Sequence, residues 1–131
     1  MSDAPSGNVL LVEDNPANVR LFSMLLEKKG YTVVLAGTAE DGIEAAREHL
    51  PDLIIMDLQL PGQIDGVEAT RTLKAEDATK HIPIVVVSAH AFKEVRDAAR
   101  AAGCDDFLTK PVLVRPFLMM VERHLPSTAS A

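Results

Sequence analysis

Cysteine is nearly missing from this chain: Cys104 is the only one in 131 residues, so an internal disulfide and a cysteine-ligated zinc centre are both excluded. Its place beside Gly103, just before a strand-like run, reads as a small buried filler. Long apolar runs are also missing, and none approaches the ~18 residues that a membrane span requires. Met1 to Gly7 carries neither a basic start nor an apolar stretch, so no secretory signal is expected. Positive charge is in deficit, with 13 Lys and Arg against 19 Asp and Glu and a net charge of −6. Non-specific nucleic-acid binding and adhesion to anionic membranes need a basic face, so neither nucleic acid nor membrane is expected as a partner. A cytoplasmic domain is the expectation. No internal repeat is visible, and no low-complexity segment interrupts the middle of the chain. What remains is ordinary for a globular domain: 47% hydrophobic and 24% charged residues, enough chain for one domain with a sizeable core.

Apolar runs alternate with segments of helical period. The runs are Val9–Val12, Thr32–Leu35, Leu53–Met56, Ile84–Val87 and the weaker Phe107-Leu108. Four are continuous rather than alternating, the pattern of parallel strands buried on both faces. Between them lie helix signals. Asn15-Pro16 offers a cap and a first-turn proline, Val19, Phe22 and Leu26 keep helical spacing, and Gly30 closes that helix. Thr38 followed by Glu40 and Asp41 opens a second helix, with Ile43, Ala46 and Leu50 expected to face inward. Asp65-Gly66-Val67-Glu68 resembles a capping box for a third. Val95, Ala98, Ala99 and Ala102, ended by Gly103, form the inner face of a fourth; Pro116, Phe117, Met120, Val121 and Leu125 belong to a fifth. Five such units predict an α/β fold: a doubly wound, five-stranded parallel sheet of order 2-1-3-4-5, flavodoxin-like, spanning residues 8–125. Residues 1–7 and 126–131 read as short frayed tails.

In such a sheet the site lies beyond the carboxyl ends of the strands, at the switch point between the first and third. The first run ends in Glu13-Asp14, the third at Asp57, the fourth at Ser88, and the fifth leads into Lys110. Each has an ordinary use alone: a solvated turn, a turn opener, a strand end, a loop. Together they bring three carboxylates, a hydroxyl and an ammonium to one edge. Two carboxylates ~4 Å apart repel by about 4 kcal/mol at an effective dielectric near 20, so either a proton or a cation must relieve them. Hard oxygen donors with no cysteine beside them suit Mg²⁺, with Mn²⁺ the alternative that the same ligands admit. Mg²⁺ so held implies phosphoryl chemistry, with Asp57 as the natural nucleophile.

These residues resemble a response-regulator receiver domain of two-component signalling. The likeness runs from Val9 to about Leu125 and rests on Val12-Glu13-Asp14-Asn15, Met56-Asp57, Leu60-Pro61, Ser88-Ala89 and Lys110-Pro111 in that order and spacing. The resemblance implies that Asp57 accepts a phosphoryl group from the phosphohistidine of a sensor histidine kinase or a histidine phosphotransfer protein. It implies that Glu13, Asp14, Asp57 and the backbone carbonyl of Gln59 hold Mg²⁺. Ser88 and Lys110 would bind phosphoryl oxygens, Phe107 would be the aromatic switch, and Gln59 and His90 would tune how fast the acyl phosphate hydrolyses. Three positions depart from the common pattern: Ser88 replaces threonine, Phe107 replaces tyrosine, and the segment between Pro61 and Gly66 is one residue longer. The Glu13–Asn18 and His81–Lys93 stretches look most like single-domain receivers of the cell-cycle (DivK) kind, and also like receivers fused to hybrid kinases.

With no output domain expected after the fifth helix, output would pass to a downstream protein through the fourth helix, fifth strand and fifth helix. Met119, between Arg115 and Arg123, is either a scattered surface methionine or the centre of that contact. Other classes compete. A phosphatase of the haloacid-dehalogenase kind needs a general-acid aspartate where Gln59 stands, so a signalling domain rather than an enzyme is expected. A flavodoxin would need a glycine- and hydroxyl-rich phosphate loop where Glu13-Asp14 would repel phosphate. A binding module with a vestigial acidic site is the third reading. His49, His81 and His124 read as isolated surface residues.

Overall fold

The five apolar runs become five parallel strands: β1 (Asn8–Val12), β2 (Thr32–Ala36), β3 (Leu53–Asp57), β4 (Ile84–Ser88) and β5 (Asp106–Thr109). Helices α1 (Pro16–Lys28), α2 (Ala39–His49), α3 (Gly66–Ala75), α4 (Lys93–Ala101) and α5 (Val114–His124) alternate with them. This computed structural model describes residues 7–90 and 92–125. Apart from Gly7, the expected tails lie outside those residues. Strand order is β2-β1-β3-β4-β5, as the sequence pattern predicts, with Val9 opposite Leu53 and Ile55 opposite Val85 in the central ladders.

Alternation along each strand sorts the core into layers. Val9, Leu11, Leu53, Ile55, Val85 and Val87 face α1 and α5, where Phe22 and Phe117 stack with ring centroids 4.9 Å apart. Leu10, Val12, Ile54, Met56 and Ile84 face α2 and α3, meeting Ile43, Ala46, Ala69 and Leu73. The third cluster is the smallest: Leu58, Val86 and Ala99, with half-buried Val95, Cys104 and Phe107 against it. Helix α4 thus buries only Ala99 fully and rests on the thinnest part of the core.

Local chemistry sets the helix starts. The Asn15 side chain accepts from the amides of Ala17 and Asn18, Thr38 accepts from Asp41, and Asp65 accepts from Glu68. Gly30 and Gly103 close their helices at φ 93° and 105°, the left-handed region that glycine enters without strain. Four expectations need correction. The Thr32–Leu35 run does not form a strand buried on both faces: β2 is at the sheet edge, where Thr32 and Leu35 are exposed. Leu50 does not face inward; it caps α2 at φ 46° and is 51% exposed, because Pro51 disfavours continued helix at the residue before it. His124 is not isolated: its Nε2 lies 3.1 Å from Asp106 Oδ2, beside an Arg123–Asp106 ion pair of 2.6 Å, so the end of α5 is tied to the start of β5. Cys104 is half-buried rather than fully so, and burial raises its thiol pKa.

The stacked Phe22–Phe117 pair couples the first helix to the last. Phe117→Ala is expected to cost about 3–5 kcal/mol through lost burial and a cavity, read as a lower urea midpoint. A loss below 1 kcal/mol would show that α1 and α5 close over the gap.

Candidate functional site

Because the strands are parallel, their carboxyl ends deliver side chains to one edge. Glu13 extends β1 by one pairing, its amide donating to the Ala36 carbonyl at 3.0 Å, which draws its side chain into the protein. Its Oε2 accepts from the Asn15 amide at 3.1 Å, so the residue that caps α1 also orients this carboxylate. Asp14 is exposed, whereas Asp57, at the end of β3, is 3% exposed. Oxygens of Glu13, Asp14 and Asp57 all lie within 4.8 Å of one another.

Among the described residues, a single ammonium serves this cluster. Lys110 Nζ stands 3.2 Å from Glu13 Oε1 and 3.2 Å from Asp57 Oδ2. Its backbone is held as well, the Lys110 amide donating to the Ser88 carbonyl at 2.8 Å, and the Lys110–Pro111 peptide bond is cis. Asp57 Oδ1 accepts from the Gln59 amide at 3.2 Å. Ser88, fully buried, donates its hydroxyl to Gln59 Oε1 at 3.2 Å and accepts from the His90 amide at 3.0 Å. Glu13, Asp14, Asp57, Gln59, His90 and Lys110 line one open cleft of about 480 Å³, joined by Asn15 and Asn18.

Two of the expected residues stand apart from that cleft. Ser88 sits behind it, latched by Gln59. Phe107 lines a separate cavity of about 220 Å³, where the Arg96 guanidinium lies 5.6 Å from its ring centroid. One residue of structural consequence went unrecognised in the sequence except as a helix opener. Gly66 packs so closely on the end of β3 that a Cβ there would fall 2.2 Å from the Asp57 carbonyl oxygen, while its amide donates to the Leu58 carbonyl at 3.2 Å. Its signal was a glycine in a first turn, where its flexibility costs helix stability and needs a reason.

Three carboxylates against one ammonium leave negative charge in excess. Burial, and then Glu13, push the Asp57 carboxyl up to about 6, opposed in part by Lys110 and the Gln59 amide. The donors are hard oxygens, and a small divalent cation among them would relieve the repulsion; the residues therefore fit Mg²⁺.

Residues 9–122 match the family model described as the response regulator receiver domain. The polar-differentiation response regulator DivK of Brucella anthropi is 39% identical over 118 residues, covering 90% of this chain and 95% of that protein. DivK of Brucella ovis is 38% identical with the same coverage. The receiver domain of the sensor histidine kinase PA1611 from Pseudomonas aeruginosa, solved with a magnesium ion coordinated in its active-site cleft, superimposes with TM-score 0.85 at 32% identity, over 93% of this chain and 99% of that one. The chemotaxis protein CheY4 of Vibrio cholerae gives TM-score 0.85 at 25% identity, covering 92% and 99%.

The raised Asp57 pKa has a definite sign. Its folded value of about 6 lies above its ordinary 3.8, so its contribution to stability is greatest at low pH and is lost as pH rises through about 6. In metal-free protein near neutral pH, Asp57→Asn should therefore be more stable than wild type by on the order of 1–3 kcal/mol, with the gap closing below pH ~5. Urea titrations at the two pH values check this. Equal stabilities at both would mean that Lys110 fully offsets the repulsion.

Proposed function

The chain belongs to the response regulator receiver domain family, and on that premise we propose that its residue 8–125 domain accepts a phosphoryl group on Asp57 in a Mg²⁺-dependent reaction. The donor is the phosphohistidine of a sensor histidine kinase or a histidine phosphotransfer protein in the cytoplasm, and a downstream protein reads the product. One observation carries the proposal: a buried carboxylate shares the Lys110 ammonium with Glu13, inside a cleft that Asp14 completes.

The chemistry follows from the same contacts. A carboxylate oxygen of Asp57 attacks phosphorus as the P–N bond breaks; the bonding pair goes to the ring nitrogen, and the donor ring, already protonated on its other nitrogen, leaves as neutral imidazole. Glu13, Asp14, Asp57 and the Gln59 carbonyl would hold Mg²⁺, which when bound neutralises charge on the phosphoryl oxygens. Lys110, already within 3.2 Å of Asp57, offers its ammonium to the same oxygens. Ser88 must first release Gln59 Oε1 to donate its hydroxyl to the phosphoryl group. That exchange links the state of Asp57 to the loop after β4. Gln59 and His90 both line the cleft, which supports a role for them in governing access of water to the acyl phosphate. Phe107, lacking a hydroxyl, would respond by packing alone, against Val86, Ala99 and the Arg96 guanidinium.

Output through α4, β5 and α5 is supported by the thin packing of α4 and by exposed apolar side chains on α5, Val114 at 48% and Met119 at 55%. Incubation with acetyl phosphate and Mg²⁺ should add one phosphoryl group by mass spectrometry, a gain of ~80 Da, abolished by Asp57→Ala or by chelation. No mass gain with any phosphodonor would leave a phosphorylation-independent binding module. Met119→Glu should leave phosphorylation unchanged and weaken partner binding about tenfold or more, measured against the cognate kinase or effector. Unchanged binding would make Met119 an ordinary surface methionine.

A further inference from the structure

Four residues, Gly62 to Asp65, separate Pro61 from Gly66 in the loop that follows Gln59, and such a loop has conformations to lose on folding. The structure supplies an anchor for it from another element. Glu40, in the first turn of α2, points its carboxylate at this loop, and Oε2 accepts from the amides of Gln63 at 2.9 Å and Ile64 at 3.3 Å. Gly62 makes the approach feasible: it has φ 112°, and a Cβ there would fall 2.5 Å from Glu40 Oε1. A bond from its own amide, and then those from Gln63 and Ile64, hold the Glu40 carboxyl below the usual range. Leu60 and Ile64 pack onto the α2/α3 core layer on either side of this anchor. At the other limb the Gln59 amide is bound to Asp57 Oδ1. The loop is thus pinned at both ends, four residues apart, with Gln59 lining the cleft at one of them.

We infer that Glu40 is a positioning residue for the phosphorylation site: through its two hydrogen bonds to the Gln63 and Ile64 amides it fixes the β3–α3 loop, and with it the Gln59 carbonyl, in the geometry that receives Mg²⁺. This rests on the reading of that carbonyl as a metal ligand. Glu40 lies on α2, whereas the expected ligands lie at the end of β3 or in the loops after β1 and β3, and Glu40 is not among the residues that line the cleft. Its role is conformational.

The test uses the full chain and two non-catalytic readouts: exchange of the Gln63 and Ile64 amides by NMR in metal-free protein, and Mg²⁺ affinity by calorimetry. In Glu40→Ala both amides should exchange faster and Mg²⁺ should bind about tenfold more weakly, the effect of losing an outer support of a metal site. Phosphorylation by acetyl phosphate should fall at low Mg²⁺ and recover at saturating Mg²⁺. Glu40→Gln keeps an acceptor oxygen and should stay close to wild type. Should Glu40→Ala fail to fold, Gly62→Ala tests the same contact from the loop side, with the same two changes expected. Unchanged amide exchange, or unchanged Mg²⁺ affinity beside normal wild-type binding, overturns the inference alone. So does a Glu40→Gln protein as weak as Glu40→Ala, since charge rather than hydrogen bonding would then be the cause. A wild type that takes up no Mg²⁺ overturns this inference together with the metal reading of the site, while the exchange data still report on the loop anchor.

Discussion

Buried like charge is the constraint around which the molecule is organised. Glu13 and Asp57 are both taken out of water and share one ammonium, and Asp14 adds a third carboxylate at the mouth of the cleft. At a few ångströms each repulsion is worth about 4 kcal/mol at an effective dielectric near 20, which is a large share of the 5–15 kcal/mol by which a domain this size is stable. The sheet tolerates it because its centre is wholly apolar: β1, β3 and β4 bury side chains on both faces. Stability made in the core is held against strain at the edge. A cation or a proton relaxes that strain, which makes the edge responsive to what binds there.

The same economy explains which elements are positioned to respond. Ser88 is bound to Gln59, Gln59 to Asp57, and the Lys110 amide to the Ser88 carbonyl, so the ends of β3, β4 and β5 form one hydrogen-bonded chain. A change at Asp57 therefore reaches the segment leading into α4, the helix with least buried surface. By contrast α5 is tied down twice, by Phe117 against Phe22 and by the Asp106 contacts to Arg123 and His124. Movement is cheapest where packing is thinnest. The face between α4 and α5 combines a loosely held element with a firmly held one.

Capping and strand signals were legible because they act over a few residues. Asn15, Thr38 and Asp65 cap the helices they precede, and three of the four continuous apolar runs are the buried strands β1, β3 and β4, while the fourth is the edge strand β2, where Leu35 faces solvent. The convergence of Glu13, Asp14, Asp57, Ser88 and Lys110 on one edge was also legible, since a parallel sheet sends the ends of all its strands to the same side. What escaped was contact between elements distant in sequence. Nothing near Glu40 indicates that it reaches a loop more than twenty residues ahead, and nothing near His124 indicates Asp106. Leu50 shows the limit of periodicity, because its inward phase was overruled by the proline after it.

The amino-acid sequence by itself determined the strand and helix segments, their order, and the identity of the groups gathered at the edge, because hydrophobic period, capping and strand polarity are local or topological properties. Only the tertiary structure decided that Lys110 bridges two carboxylates, that Ser88 is latched by Gln59, that Gly66 abuts the Asp57 carbonyl, and that Glu40 pins the loop. These depend on distances of about 3 Å between residues far apart along the chain, and hydrogen bonds and charges at that range are set by packing rather than by pattern.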